Sequence, residues 1–332
     1  MSKIRFGILS TAKIGVEKVI PAMQRGKLTE VTAIASRSGD KARDAAARLG
    51  IPRFYDSYAA LLNDPAVDAV YIPLPNDQHV AWSIRALEAG KHVLCEKPIG
   101  LSAAEARQLH AAGRRWPQLK LMEAFMYRHH PQWRKTRELV ESGAVGRLRT
   151  IQTFFSYYND DPANIRHNPA MGGGSLMDIG CYAISLSRWL FAAEPRRVLG
   201  CVEYDPRFQV DRSASAILDF GHGTATFTCS MQVAPFQQVE IVGDQGRLEL
   251  SDVPFNAPND RPCVVRLQQG NDVSRFELET CDQYTIQGDL FAEAILEDKP
   301  VPTPLDDAVR NMEVIEAVVA SGRSGLWTQP GA

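Results

Sequence analysis

The sequence predicts a two-domain α/β protein, in which an N-terminal doubly wound parallel sheet precedes an α+β domain with a large, mostly antiparallel open sheet. Three observations favour this class. The 332 residues are enough for two domains of the usual size, roughly 100–200 residues each. Residues 4–124 alternate short apolar runs with helical patterns, as repeated βαβ units do. Beyond about Met126 the chain changes to consecutive segments of period-2 alternation, which is typical of antiparallel strands.

The first domain is predicted to span residues 1–125. Strands are predicted at 4–9, 31–35, 69–72, 92–95 and 120–124, and helices at 14–23, 40–49, 79–89 and 102–112. Ser102-x-x-Glu105 is a capping box, which supports the start of the last of these helices. In such a fold helices cover both faces of the sheet, and ligands bind beyond the carboxyl ends of the strands.

The second domain is predicted to span residues 126–332. It is expected to hold a helix at 133–141 and strands at 147–157, 213–220, 224–229, 238–242 and 247–250. Gly243-Asp244-Gln245-Gly246 indicates a hairpin connection, and residues 254–262 indicate one long loop. A helix near 305–320 has one apolar stripe and begins with Asp306-Asp307, where negative charge suits a helix N-terminus. The pattern leaves open a return of this helix to the first domain.

Composition argues for a small-molecule partner. Charged residues make up 23% of the chain and the formal net charge is −2, so no basic field is available for nucleic acid or a membrane surface. The six cysteines form no C-x-x-C pair, which favours reduced thiols and a cytoplasmic location. Neither a signal peptide nor an apolar run of membrane-spanning length is recognisable, so export and membrane insertion are not expected.

A lysine follows one of the buried strands. Glu96-Lys97-Pro98 comes directly after the apolar run 92–95, so the ammonium group of Lys97 is expected at the carboxyl edge of the sheet. A partly desolvated lysine in that place can hold or shift a proton near neutral pH. The alternative is an ordinary surface turn.

The turn after the first strand is a degenerate dinucleotide-binding motif. Of the three glycines in G-x-G-x-x-G only the third is kept, as Gly15, while Ser10 and Ala12 replace the others. Both replacements are small enough for a tight turn and a close approach to a pyrophosphate, and the next helix offers its first N–H groups. The residues predicted to bind the cofactor here are Ser10, Thr11, Ala12, Lys13 and Ile14.

The second and third strand ends refine the cofactor prediction. Ser36-Arg37-Ser38 stands where an acidic residue would bind a ribose 2′-hydroxyl, and arginine suits a 2′-phosphate instead, which predicts NADP(H). The alternative for Arg37 is a solvated turn residue. After the strand at 69–72, the sequence places Pro73, Leu74, Asn76 and His79 near a nicotinamide ribose. Here the alternative is that Asn76 or Asp77 only caps the following helix.

A third dense motif lies in the second domain. After Gly172-Gly173-Gly174, helical spacing puts Asp178 and Tyr182 on one face at i and i+4. There the carboxylate can orient a substrate hydroxyl while the phenol exchanges its proton. The alternatives are that Ser175-x-x-Asp178 is a capping box and that Tyr182 is a packing residue.

Together these motifs resemble the glucose–fructose oxidoreductase, inositol dehydrogenase and rhizopine-catabolism (Gfo/Idh/MocA) family over nearly the whole chain. The resemblance rests on the Ser10–Gly15 turn, Pro75-Asn76-x-x-His79, Glu96-Lys97-Pro98, and the glycine run before Asp178-x-x-x-Tyr182. Tyrosine in the last position is similar to the branch of glucose–fructose oxidoreductase and dimeric dihydrodiol dehydrogenase. The run 123–128 also resembles NADP-dependent aldose and xylose 1-dehydrogenases.

The resemblance implies a Rossmann domain, a second domain whose open sheet faces a partner subunit, and a homodimer or dimer of dimers. It implies that Tyr182 is the general acid/base, that Lys97 binds the reacting oxygen, and that Asp178 orients the substrate. A cis peptide at Lys97-Pro98 is also implied. Further residues implied at the cofactor or substrate are Glu96, Tyr127, Arg128, Asn164 and Arg166.

The predicted function is NADP(H)-dependent hydride transfer to or from a carbinol or carbonyl carbon of a sugar or cyclic polyol. The alternatives of the same chemistry are a trans-dihydrodiol dehydrogenase and a cofactor-retaining aldose–aldose oxidoreductase. A first strand that begins by about Lys3 leaves no arm around the cofactor, which favours an exchangeable one. A non-catalytic dinucleotide sensor is disfavoured because Lys97, Asp178 and Tyr182 are all present.

No metal is predicted, because adjacent His129 and His130 point apart on an extended chain and no carboxylate completes a triad with His167.

Overall fold

The structure is a computed structural model that describes residues 2–250 and 253–332, and it divides the chain into two compact units. The first unit runs to Met126 and takes in Asp282–Val309. The second runs from Tyr127 to Cys281 and ends with Arg310–Ala332. Among the described residues, no helix is long and apolar enough to cross a bilayer.

The first unit is built on a six-stranded parallel sheet of order β3-β2-β1-β4-β5-β6. Its strands are β1 (Ile4–Leu9), β2 (Thr29–Ala35), β3 (Arg53–Tyr55), β4 (Ala69–Ile72), β5 (His92–Cys95) and β6 (Leu121–Glu123). The helices between them are α1 (Ile20–Gln24), α2 (Gly39–Leu49), α3 (Tyr58–Leu62), α4 (Asn76–Glu88) and α5 (Ala103–Gly113). The strand order reverses between β1 and β4, which is the place where doubly wound sheets open a crevice for ligands. The predicted fold class is confirmed for this unit.

The helix predicted at 14–23 is a composite. Gly15–Val19 is a π-helical turn that runs into α1, and Pro21 lies in the first turn of α1, where its missing N–H is tolerated. Val16 N–H donates to the carbonyl of Ala12 at 3.0 Å. The backbone therefore turns into a helix within three residues of the end of β1.

The second unit is built on an eight-stranded sheet of order β14-β13-β12-β11-β7-β10-β9-β8. Its strands are β7 (Leu148–Tyr158), β8 (Arg197–Tyr204), β9 (Asp211–Asp219), β10 (Thr224–Ser230), β11 (Gln232–Gly243), β12 (Arg247–Leu250), β13 (Cys263–Gln269) and β14 (Asp272–Leu278). Every neighbouring pair is antiparallel except β7 and β10, which run parallel. The mostly antiparallel prediction is confirmed, as is the hairpin at 243–246. Helices α6 (Pro131–Glu141) and α7 (Cys181–Phe191) pack against this sheet, with α6 touching β13 and α7 touching β7.

The last two helices of the chain do not follow the predicted domain boundary, because they belong mainly to different units. Helix α8 (Gln283–Leu296) belongs to the first unit, because Phe291 and Ala292 are fully buried in its core and Phe291 packs on Phe6 with ring centroids 6.2 Å apart. Helix α9 (Leu305–Ser324) belongs to the second unit from Arg310 onward. There Asn311 Nδ2 donates to the Cys181 carbonyl at 3.2 Å, and Ser321 Oγ accepts from the N–H of Gly200 at 2.9 Å. The segment that rejoins the first unit is thus Asp282–Val309 and not the whole helix near 305–320.

Candidate active site

The turn after β1 presents backbone and hydroxyl donors at the carboxyl edge of the parallel sheet. Ser10 has a φ of +133°, in the region that favours glycine, and its Oγ accepts the N–H of Ala12 at 2.9 Å. That hydrogen bond offsets part of the strain of a non-glycine residue there. Thr11 and Ala12 are half-buried, while Lys13 and Ile14 are exposed. The donor set fits the pyrophosphate of a dinucleotide, because the N–H groups of a first helical turn attract anions.

The end of β2 supplies hydroxyls and a guanidinium. Ser36 is buried and its Oγ accepts from the N–H of Ser38 at 3.2 Å, while Ser38 Oγ caps α2 by accepting from Lys41 N–H at 3.4 Å. Arg37 between them is exposed. Burial raises the pKa of Tyr58, and the neighbouring Arg37 guanidinium opposes that rise. Arg37 thus holds a positive charge at the edge of the sheet, as a site for a ribose phosphate requires.

The loop after β4 is held by a buried histidine. His79 is completely buried, and its ring nitrogens lie 2.8 Å from the carbonyl of Pro98 and 2.7 Å from that of Leu74. Burial lowers the pKa of His79, and the two carbonyls oppose that change. Both ring nitrogens of His79 face carbonyls, so the side chain joins two loops, and its contact with the cofactor stays a prediction. Asn76 is the first residue of α4 and is preceded by Pro75 at the cap position, so the alternative role of Asn76 as the cap is wrong.

Lys97 lies where the sequence places it, just past the carboxyl end of β5. Lys97 and Glu96 are half-buried, and the Lys97-Pro98 peptide is cis, as the resemblance implies. Tyr71 OH donates to Glu96 Oε1 at 2.7 Å, and the N–H of Lys97 donates to Glu96 Oε2 at 3.3 Å. Burial and then the Glu96 carboxylate raise the pKa of Tyr71 and likewise that of Tyr284. A negative carboxylate and two neutral phenols therefore surround the base of the lysine-bearing turn.

In the second unit, Asp178 and Tyr182 lie on either side of a change of helix type. Leu176–Gly180 is a π-helical turn, shown by the N–H of Cys181 donating back to the carbonyl of Leu176, and α7 continues from Cys181. Such turns are rare and often occur at functional sites. The predicted helix is confirmed in outline. Ser175 at its start makes no side-chain cap to the helix, so the capping-box alternative is wrong.

Asp178 is the centre of a polar triad. Its Oδ2 accepts from Tyr157 OH at 2.7 Å and from Arg166 Nε at 2.8 Å. Desolvation and then Asp178 raise the pKa of Tyr157, while Asp178 raises that of Arg166 above its already high value. The carboxylate is thereby held in one orientation, with the Asp178 side chain 13% exposed and that of Arg166 41% exposed. The structure thus brings together two predicted residues, Asp178 and Arg166, and adds Tyr157.

Tyr157 was missed by the sequence analysis, although a signal for it exists. In β7, Phe155 and Tyr157 are two residues apart and so share a face. Phe155 packs on the ring of Tyr182 with centroids 5.9 Å apart. A tyrosine two residues after Phe155 on the same strand therefore points its hydroxyl to the same side of the sheet as the ring of Phe155.

Tyr182 is 5% exposed and lies on an aromatic floor. Its ring centroid is 5.4 Å from that of Phe255 and 5.6 Å from that of Tyr127. Tyr127 is completely buried, and its hydroxyl lies 2.8 Å from Ser185 Oγ. Tyr127 thus supports the ring of Tyr182 from within the core, and its place at the substrate stays a prediction.

Two further predicted residues, Arg128 and Asn164, have local structural contacts. Arg128 is buried and its Nη2 donates to Ser185 Oγ at 2.7 Å, so it anchors α7 within the second unit, and its contact with the cofactor stays a prediction. Asn164 Oδ1 caps the turn 165–167 by accepting from the N–H of Arg166 at 3.1 Å. Among residues 2–250 and 253–332, no group of three or more His, Cys, Asp or Glu side chains is arranged to hold a metal. His167 instead stacks on Phe208 with centroids 4.1 Å apart, and burial lowers the pKa of His129 to about 4.

Comparison with known proteins matches both halves of the chain. Residues 4–121 match the oxidoreductase family with an NAD-binding Rossmann fold, and residues 133–249 match the GFO/IDH/MocA C-terminal domain. An uncharacterized oxidoreductase of Rhizobium meliloti is 44% identical over 98% of this chain and 99% of its own. The D-xylose 1-dehydrogenase (NADP(+)) 2 of Haloferax volcanii is 38% identical, with 96% and 98% covered.

A solved structure agrees over the same length. The 3-ketoreductase KijD10 from Actinomadura kijaniata, in complex with NADP and TDP-benzene, has a TM-score of 0.90 at 34% identity, covering 96% of this chain and 98% of its own. The family model of the N-terminal half and all three relatives describe oxidoreductases. The chain therefore belongs to the GFO/IDH/MocA oxidoreductase family.

Proposed function

We propose that this protein is an NADP(H)-dependent oxidoreductase acting on a carbinol or carbonyl carbon of a sugar or cyclic polyol. In this proposal the first unit binds the cofactor through Ser10–Ile14, Ser36–Ser38, Pro73, Leu74, Asn76 and Glu96, and the second binds the substrate. The observation that carries it is the Asp178 carboxylate, fixed by Arg166 and Tyr157 one turn before the phenol of Tyr182. The similarity to a D-xylose 1-dehydrogenase and to a 3-ketoreductase supports a sugar substrate.

The proton transfer needs help from Lys97. The bound nicotinamide supplies or accepts the hydride, and the hydroxyl proton of the reacting carbon must then arrive or leave. A free tyrosine has a pKa of about 10 and is a poor base near neutral pH. An ammonium group beside it favours the phenolate, and lowering the pKa by one unit takes about 1.4 kcal/mol, which is within reach of a nearby charge at intermediate dielectric. We therefore propose that Tyr182 donates or accepts the proton, that the Lys97 ammonium group stabilises the phenolate, and that Asp178 orients the substrate.

The test is the change in nicotinamide absorbance with a panel of aldoses, ketoses and cyclic diols, in both directions. We expect turnover of at least one sugar or polyol with free NADP(H). If NADPH binds but no member of the panel is turned over, a non-catalytic dinucleotide sensor is favoured. Nicotinamide that survives desalting and is reduced and reoxidised by two sugars in turn would favour a cofactor-retaining aldose–aldose oxidoreductase. Preference for trans-diols would favour a dihydrodiol dehydrogenase.

Cofactor preference is predicted to depend on Arg37. We expect Arg37→Ala to lower kcat/KM for NADPH by about 10–100-fold, since a charge-assisted hydrogen bond contributes about 1.5–3 kcal/mol, and to change kcat/KM for NADH little. Arg48→Ala, on the exposed last turn of α2, is the matched control and is expected to change neither. Steady-state kinetics with both cofactors measure this. A wild-type enzyme that uses NADH as well as NADPH would contradict the prediction.

We also propose a homodimer or dimer of dimers, formed through the open face of the eight-stranded sheet. Ile217 on β9 and Phe236 on β11 are exposed, which supports a covered face because large apolar residues cluster at interfaces. Sedimentation that gives only monomer at micromolar concentration would contradict this. The six cysteines form no C-x-x-C pair, which supports a reducing, cytoplasmic setting.

A further inference from the structure

A buried carboxylate lies behind the helix that carries Asp178 and Tyr182. Asp211 opens strand β9, is 7% exposed, and belongs to the same unit as that helix. Its Oδ2 accepts from Ser175 Oγ at 2.7 Å and from the N–H of Leu176 at 2.6 Å. Burial raises its pKa to about 6, and those hydrogen bonds oppose the rise. A buried carboxylate held by two donors at a helix start is a strong local constraint.

The glycine run before the helix is shaped around this carboxylate. Gly174 has a φ of +113°, and a Cβ there would lie 1.9 Å from Asp211 Oδ1. A Cβ on Gly173 would lie 2.4 Å from the carbonyl oxygen of Arg166. Both glycines are therefore required by close approach, one to Asp211 and the other to the Arg166 turn.

Both partners of the site's ion pair are bonded to the same glycine. The N–H of Gly174 donates to the carbonyl of Arg166 at 2.9 Å, and the carbonyl of Gly174 accepts the N–H of Asp178 at 3.1 Å. Asp211 holds the next two residues, Ser175 and Leu176. A shift of the glycine turn would thus move Arg166 and Asp178 together, as well as the π-helical turn that leads to Tyr182.

We propose that Asp211 is a positioning residue, which fixes the glycine turn and thereby sets the places of Asp178 and Tyr182. It acts through Ser175, Leu176 and Gly174. The consequence for catalysis rests on the proposed function, whereas the consequence for geometry does not. Misplacing reacting groups by about 1 Å can cost on the order of 100-fold in rate.

The test compares Asp211→Ala, Asp211→Asn and Ser175→Ala with Asp219→Asn as the matched control. Asp219 ends the same strand and pairs with exposed Arg197, so its replacement is expected to leave activity unchanged. With NADPH and the most active sugar of the panel, we expect Asp211→Ala to lower kcat by about 10–100-fold. The dissociation constant of NADPH is expected to stay within about threefold, since removal of a positioning contact in the second unit leaves the cofactor residues in place. Asp211→Asn should restore part of kcat, because its amide oxygen still accepts.

Two outcomes would overturn the proposal. One is a folded Asp211→Ala enzyme with wild-type kcat; if that variant does not fold, wild-type kcat in both Asp211→Asn and Ser175→Ala has the same force. The other is a parallel loss of kcat and NADPH affinity, which would show general damage to the fold. Tyr182→Phe, assayed alongside, separates the two proposals. Full activity in that variant rejects the assignment of the proton to Tyr182, whereas a large loss of kcat in it beside a fully active Asp211→Ala rejects only the positioning role of Asp211.

A crystal structure of the most disruptive variant that folds gives a readout without activity. We expect the 2.8 Å contact between Arg166 Nε and Asp178 Oδ2 to lengthen and the N–H of Cys181 to leave the carbonyl of Leu176. An unchanged ion pair and an unchanged π-helical turn would reject the positioning role even if no substrate were known.

Discussion

Replacement of Tyr182 by phenylalanine is expected to lower kcat by about two to four orders of magnitude, the usual scale of acid–base catalysis. The change removes only a hydroxyl, and the ring keeps its packing on Phe255 and Tyr127. Dissociation of NADPH, followed by its fluorescence, is expected to change less than threefold, because the predicted cofactor residues lie in the other unit. Steady-state and single-turnover kinetics with the active sugar measure the loss.

Tyr204→Phe is the matched control for Tyr182→Phe. Tyr204 ends β8 and is exposed, so loss of its hydroxyl is expected to leave kcat unchanged. The assignment of the proton to Tyr182 would be rejected if Tyr182→Phe kept the wild-type kcat. If Tyr182→Phe lowered the Tm as well as kcat, the loss of activity would be explained by disturbed packing, since the phenol is almost completely buried.

The parts of the fold that repeat a simple period were accessible from the sequence. The five predicted strands of the parallel sheet have buried apolar runs, and β7, β9, β10 and β12 alternate by two. Helix α8 was missed because buried Gln283 and Gln287 interrupt its apolar pattern, and their burial comes from tertiary packing that a periodicity search does not see. The return of 282–309 to the first unit was missed for the same reason.

The residues of the candidate site likewise differ in how far the sequence indicates them. Lys97, Asp178 and Tyr182 stand in dense motifs, so local sequence order is enough to propose them as candidates. Tyr157 and Asp211 lie on strands 21 and 33 residues away from Asp178, and only the folded sheet brings them to the helix. The internal hydrogen bonds of His79, Tyr127 and Arg128 could not be predicted, because a polar atom with a partner inside the core looks, in sequence, like one that faces a ligand.

Replacement of Lys97 by methionine is expected to lower kcat by about two to three orders of magnitude, because it removes a charge and keeps an apolar chain of similar length. If the ammonium favours the phenolate, the tyrosine pKa rises towards its free value of about 10 without it. The rising limb of the oxidation rate against pH, which reports that ionisation, is then expected to move to higher pH. Rate profiles between pH 6 and about 10.5 in the oxidative direction measure both effects.

Lys27→Met separates this effect from a general change in charge, because Lys27 is exposed before β2 and is expected to leave both kcat and the profile unchanged. Lys97→Arg keeps the charge on a planar group of different shape. The rising limb of its pH–rate profile should therefore stay near the wild-type pH, while only part of kcat is recovered. If Lys97→Met lowered kcat and left the rising limb of the pH profile at the same pH, the lysine would bind the substrate oxygen without lowering the pKa of the tyrosine. Wild-type kcat in that variant would remove Lys97 from the chemistry, and the half-buried turn beside Glu96 would then be a structural feature of the strand end.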